Sequence, residues 1–536
     1  MENDVIDLSR VESVPPDDDD GRHLSIFRVF LVIAVVAAAI GGTWWYFARQ
    51  NEAAETAAGI RSWFAPYVDI TATPQYAFED ATASGHTSAV LAFVVSALDE
   101  PCEPSWGGAY TMAAAADSLE LDRRIARLRQ LGGDVTVSFG GAANSEMSIG
   151  CTDPAALAAA YTSVIDRYSS SVIDLDIEGA AASAPEVNAR RAAAMATVTA
   201  EQAAAGAPLS VWLTLPVGSS GLTREGLGVL NSMLAAGVVP AGVNGMTMDY
   251  GEPLPDGRSM ADQGELALVA LQQQLRTAFA AVGNDLSDAA AWQRVGATPM
   301  IGQNDIPDEV FTLDDARQLI AFAQQNQLGR LAMWSANRDK SCGPNYPDVR
   351  VVSDACSGIS QVPGEFDSIL GVFGSGAPPS PATTAADGAT TGSTSPPPSV
   401  SPSSDEIVDD PATSPYAIWN PNQAYPKGTK VVWHKNVYQA KWYTLGDQPD
   451  LPVATADQTP WTLIGPVLPG DTPAPTPTLA AGTYPEWNAT EIYVAGSRVM
   501  FEGVGYQAKY WTQGNQPGAA PTTPQESLPW EVLAAP

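Results

Sequence analysis

The sequence predicts an α/β protein built on a (β/α)8 barrel of the TIM type, preceded by a transmembrane helix and followed by two small β-rich modules. Three observations carry this reading. Between about Ala65 and Ser360, short apolar runs alternate with Ala-rich helical stretches, the pattern of parallel βα units. No charged residue occurs from Val29 to Phe47, a stretch of 19 positions and about the length that crosses a bilayer as a helix. Near the carboxyl end the chain repeats itself at an offset of 68, Trp419 falling on Trp487 and Tyr438-Gln-Ala-Lys441 on Tyr506-Gln-Ala-Lys509.

The elements follow in chain order. Residues 1–28 are polar, with an acidic run from Asp17 to Asp20, and read as a disordered cytoplasmic tail. Residues 29–48 form the anchor. It is longer than the apolar core of a cleaved signal, so it is expected to stay, the alternative being a secreted protein if it is cleaved. Trp44, Trp45 and Tyr46 suit an interface, and Arg22 and Arg28 on the amino side place the carboxyl-terminal bulk outside the cell. Residues 60–373 hold eight candidate strands: Tyr67 to Thr71, Ala89 to Ser96, Asp134 to Phe139, Val172 to Ile177, Leu209 to Leu215, Val243 to Met248, Thr298 to Ile301 and Arg330 to Trp334. Helices are expected between them, for example at Ala155 to Tyr168, Ala189 to Ala205, Gly264 to Val282 and Leu313 to Gln327. No GxGxxG follows the first strand, which favours a barrel over a dinucleotide-binding sheet. Residues 374–415 are rich in Pro, Ser and Thr and form a linker. Modules at 416–468 and 483–536 flank a second linker at 469–482.

Composition narrows the function. At 536 residues the chain needs more than one core. Its 27 Lys+Arg against 60 Asp+Glu give a net charge of −33, which excludes the basic footprint of a nucleic-acid binder. With three histidines and four cysteines, none in a CxxC pair, a zinc site is not expected. Cys102, Cys151, Cys342 and Cys356 permit two disulfides outside a reducing compartment, Cys102 with Cys151 and Cys342 with Cys356 being the suggested pairing and two others staying open.

The chemistry centres on Ser171-Val-Ile-Asp-Leu-Asp-Ile-Glu178. On a strand, Asp174, Asp176 and Glu178 share one face and Ile173, Leu175 and Ile177 the other. At the carboxyl end of a barrel strand, crowded carboxylates raise one pKa and keep a general acid protonated. The stretch resembles the DGxDxDxE signature of family 18 glycoside hydrolases, the chitinases, with Ser-Val in place of the leading Asp-Gly. The resemblance implies Glu178 as the acid that protonates the glycosidic oxygen, Asp176 as the group that orients the substrate's N-acetyl group, and Asp174 behind them. It implies no separate enzyme nucleophile, no metal and no cofactor.

Further motifs agree with that family. Ser138-Phe-Gly140-Gly141 matches its SxGG, and Met246-Thr-Met-Asp249-Tyr250 resembles its MxYD segment. Met248 stands where the family has Tyr, so Asp249 carries over as a substrate contact and Tyr250 is a substitute. Trp334 resembles the terminal-strand Trp that forms the floor beneath the sugar, where a flat apolar sugar face stacks on the ring. Tyr67-Val-Asp69 on strand one, Trp106 after strand two and Gln303 near strand seven are further cleft candidates. The repeats resemble chitin-binding modules of family 5/12, which implies Trp442, Tyr443, Tyr510 and Trp511 as exposed sugar platforms, with Trp419, Trp461, Trp487 and Trp530 in the mini-cores.

The expectation is therefore a monomeric, membrane-tethered, outward-facing chitinase that cleaves N-acetylglucosamine polymers, endo-acting because few residues separate Gln303 from Leu331. A silent chitin-binding lectin, and a hydrolase of another N-acetylhexosamine polymer such as peptidoglycan or an N-glycan core, are the alternatives. Retention of Glu178 favours the enzyme.

Overall fold

A computed structural model describes residues 62–80, 88–251, 254, 257–374, 407–473, 479–518 and 529–533. Residues 1–28 and 29–48, expected from the sequence to be a cytoplasmic tail and a membrane anchor, and most of the first linker lie outside these. Among the described residues no helix is long and apolar enough to cross a membrane.

The barrel closes. Strand one, Trp63–Phe64 continuing as Tyr67–Asp69, pairs on one side with strand eight and on the other with strand two, Ser88–Ser96. Strands three to eight follow as Asp134–Gly140, Val172–Asp176, Ser210–Gly218, Gly242–Met246, Val295–Thr298 and Arg330–Leu331, each parallel to its neighbours. Parallel strands covered on both faces need continuous apolar character, and Val172, Ile173, Leu175, Leu213, Leu215 and Val243 supply it in the core.

The surrounding helices start where side chains can cap them. Asp153 caps Pro154–Tyr168, with proline at the first turn, and Ser259 with Asp262 forms a capping box that begins Met260–Ala281 four residues before the predicted start at Gly264. Pro185 likewise starts Pro185–Ala204 ahead of the predicted Ala189. Strand seven lies at Val295–Thr298 rather than Thr298–Ile301. Its Gly296 is small because a Cβ there would come within 2.8 Å of the Asn244 side-chain oxygen. Disulfides join Cys102 to Cys151 and Cys342 to Cys356.

The two carboxyl-terminal units have one design. In the first, Lys430–Trp433, Asn436–Ala440 and Trp461–Pro466 form a three-stranded sheet beside a short pair, Ala424–Tyr425 with Thr444–Leu445. Arg498–Phe501, Val504–Ala508 and Trp530–Val532, beside Ile492–Tyr493 with Thr512–Gln513, repeat it. Even single hydrogen bonds recur: Trp461 Nε1 donates to the Asp447 carbonyl, and Trp530 Nε1 to that of Asn515.

Candidate active site

Strand four delivers the acidic face to the barrel axis. Asp174 is fully buried and accepts four hydrogen bonds, from Tyr67 (2.8 Å), Ser138 (2.7 Å), Thr214 (2.6 Å) and Arg330 Nη1 (2.6 Å). These donors come from strands one, three, five and eight. The Arg330–Asp174 ion pair has no solvent exposure on either side, so hydrogen bonds on every side must offset its desolvation. Asn244 on strand six completes the layer through Thr298 (2.6 Å) and Thr214 (3.1 Å).

Asp176, one step along, is buried with no cation of its own. Burial, then the charges of Glu178 and Asp174, hold its pKa well above the carboxylate range. Its Oδ1 has no protein partner. Glu178 is half-buried at the strand's end and shares a hydrogen bond with Asp176; burial, then the charges of Asp249 and Asp305, raise its pKa too. Two carboxyls so placed hold a proton between them at a pH where free carboxyls have lost theirs.

A cleft of about 300 Å³ opens above this pair. It is lined by Tyr67, Asp69, Asp176, Glu178, Asp249 and Trp334, as the sequence suggests, and by Phe93, Thr214, Met246, Met248, Asp305 and Asp354, which are not among the sequence candidates. Trp334 stacks on Phe93 with ring centres 5.3 Å apart and meets Tyr67 edge-on at 6.0 Å, giving an aromatic floor. Asp249 sits at φ 47° and its carboxylate accepts from the Asp305 (2.8 Å) and Ile306 (3.3 Å) amides. It thus fixes the loop after strand seven while facing the cleft. Glu309 returns the bond, accepting from the Tyr250 and Gly251 amides at 3.0 and 3.1 Å.

Six candidates lie elsewhere. Tyr250 does not line the cleft: beyond the left-handed turn at Asp249 its ring packs into the apolar core, beside Gly264. Gln303 is buried and its amide is committed to the carbonyls of Asn304, Ile306, Pro307 and Glu309, so it braces a loop. Trp106 is fully buried in a hairpin strand, Pro104–Trp106, that extends strand two, and donates to the Tyr168 hydroxyl at 3.0 Å. Ser138 is spent on Asp174. Gly140 and Gly141 serve backbone approach: a Cβ on Gly140, at φ 110°, would lie 2.0 Å from the Asp176 carbonyl oxygen, and one on Gly141 2.7 Å from the Phe93 ring.

In the carboxyl-terminal units, Trp442, Tyr443, Tyr510 and Trp511 are solvent-exposed, while Trp419, Trp461 and Trp530 are buried and Trp487 packs against its mini-core.

Comparison with known proteins matches residues 486–531 to carbohydrate-binding module family 5/12. The chain is 37% identical over 289 residues to a probable bifunctional chitinase/lysozyme of Escherichia coli, covering 53% of this chain and 31% of that protein. It is 36% identical over 281 residues to Endochitinase 11 of Metarhizium anisopliae, covering 52% of each. It thus spans about a third and about half the length of these curated relatives. Among solved structures, active domain 2 of the Pyrococcus furiosus chitinase is 30% identical, with a TM-score of 0.50 over 58% of this chain and 95% of that one.

Proposed function

We propose that this chain, whose barrel belongs to the chitinases of glycoside hydrolase family 18, hydrolyses β-1,4-linked N-acetylglucosamine polymers with retention of configuration. The observation that carries the proposal is Glu178, a half-buried carboxyl kept above its usual range beside the unpartnered oxygen of Asp176 and facing the cleft that Trp334 floors. Glu178 gives its proton to the glycosidic oxygen. Asp176 accepts from the acetamido N–H and turns the acetamido oxygen toward the anomeric carbon. That oxygen forms the new bond as the glycosidic bond breaks. Water then opens the resulting oxazolinium, losing its proton to Glu178. Met248, apolar and cleft-lining, adds an apolar side chain to the cleft where the family has Tyr.

Several features support the finer assignments. Only a short hairpin, Gly302–Gln303 with Val310–Phe311, and one helix, Leu313–Asn326, lie between strands seven and eight, which suits an open cleft and cleavage within chains. The unit at 416–468 shares the strands and hydrogen bonds of the matched unit, so we read it as a second module of the same kind. Two disulfides suit work outside the cytoplasm, and the apolar stretch at 29–48 supports attachment to a membrane.

The test is hydrolysis of colloidal chitin and chito-oligosaccharides by the full chain and by Glu178→Gln. Loss of the acid is expected to lower turnover by about 10² to 10⁴. Equal activity of the two would end the assignment of Glu178. A wild type that pellets with chitin yet releases no oligosaccharide would replace the enzyme with a lectin.

A further inference from the structure

The two carboxyl-terminal units share a fold but not their surroundings. At the offset of 68, Tyr416 and Lys430 of the first unit correspond to Tyr484 and Arg498 of the second. In the second unit this pair faces its own neighbours: Arg498 lies over the Tyr484 ring at 5.7 Å, donates to Gln507 at 2.9 Å, and stays exposed.

In the first unit the same pair is closed against the barrel. Lys430 Nζ lies 2.6 Å from the Glu120 carboxylate and over the Tyr416 ring at 5.2 Å, and the Tyr416 hydroxyl donates to the same carboxylate. Glu120 stands at the head of the barrel helix Leu121–Gln130 and also receives Arg123 Nε at 3.0 Å. Arg123 reaches on into the first unit and the chain after it, donating to the Pro466 carbonyl at 2.6 Å and to Asp471 at 2.9 Å. Gly465 is pressed so close that a Cβ there would meet the Arg123 carbonyl oxygen at 2.6 Å. The cluster holds two cations and two anions, and Glu120 and Arg123 are only 6% and 5% exposed. Buried charges cost much desolvation and persist only where each has its partner, so the seam is matched group by group. Hydrogen bonds from Lys430 and Tyr416 pull the Glu120 pKa down in spite of burial. Trp442 and Tyr443 stay 44% and 63% exposed, so docking leaves them free.

We propose that the repeats are not equivalent: the first is locked to the barrel as a fixed extension of the catalytic unit, and the second works as an independent tether. What the fixed unit presents, a Trp442–Tyr443 platform at constant distance from the cleft, rests on the chitin reading above; the docking itself does not.

All four native cysteines are in disulfides, so introduced cysteines label cleanly. In the full chain, spin labels at Thr197→Cys on the barrel and Asp457→Cys on the first unit should give a narrow distance distribution, and Thr197→Cys with Glu502→Cys on the second a broad one. Lys430→Glu, which leaves the barrel untouched, and Arg123→Ala should each broaden the first distribution. Lys430→Glu should also lower turnover of insoluble chitin by about threefold or more, as local concentration falls, with soluble oligosaccharides unaffected. A first distribution as broad as the second, or one that stays narrow in both variants, overturns the proposal. The distances decide docking whatever happens on chitin, so failure of the substrate reading is seen separately, as absent hydrolysis.

Discussion

Replacing Arg330 with Met keeps the side chain's bulk and removes its charge from the barrel centre. Asp174 would then remain fully buried with three hydroxyl donors but no cation. Breaking a buried pair on one side costs about 3–5 kcal/mol. For a domain of this size, roughly 2 °C of Tm is lost per kcal/mol, so the midpoint should fall by about 6–10 °C at neutral pH. The pH dependence gives a second readout. Arg330 is the group that holds Asp176 down against burial and its neighbours, so without it Asp176 rises further. A carboxyl whose folded pKa lies above its unfolded value contributes stability at low pH and loses it as pH rises through the folded value. The deficit of the variant should therefore shrink on acidification toward pH 5. Scanning calorimetry of wild type, Arg330→Met and Arg330→Met/Asp174→Asn across pH measures this, the double variant recovering part of the loss. A midpoint change under about 2 °C, or a deficit that grows in acid, would refute the reasoning.

Other outcomes follow from the same geometry. Asp305→Asn removes a charge that pushes Glu178 up, so the alkaline limb of the kcat profile should move to lower pH, while Asp314→Asn on the outer helix surface leaves it in place; an alkaline shift would count against it. Trp511→Ala should weaken pelleting with insoluble chitin by about two- to tenfold, on 0.5–1.5 kcal/mol of lost ring contact, with no effect on a soluble trimer. Removing Cys102–Cys151, which spans 49 residues, should cost about 1 kcal/mol more in denaturant titration than removing Cys342–Cys356, which spans 14.

Much of this was legible in the residues because it is local. Alternation of Asp174, Asp176 and Glu178 with apolar neighbours is a period-two signal, and the tandem units announce themselves by repetition. Strand seven lies three residues earlier than the apolar run suggests, because it passes through Gly296, a residue without a strand signal. The smallness of Gly296 is a demand of Asn244 and Arg330, residues far away in the chain. Arg330, Tyr67 and Thr214 had no local signal for their roles, standing 156, 107 and 40 residues from the carboxylate they serve. Tyr250 and Trp106 show the reverse. Each sits beside a motif in sequence, but a left-handed residue in one case and hairpin pairing in the other turns the ring into the core.

The acidic strand also works as an axis of depth. Its three carboxyls are nearly the same group, repeated at steps of about 6.6 Å. What separates them is how much water and countercharge each level of the barrel admits. At the bottom a guanidinium is shut in with Asp174. One step up, Asp176 is dry but has no cation, so it must share a proton. At the top, Glu178 meets the cleft and can hand that proton on. A single strand thus sorts its side chains into a fixed ion pair, a proton-sharing group and a donor by position alone. Moving the chain by one level, more than changing any one residue, would exchange those parts.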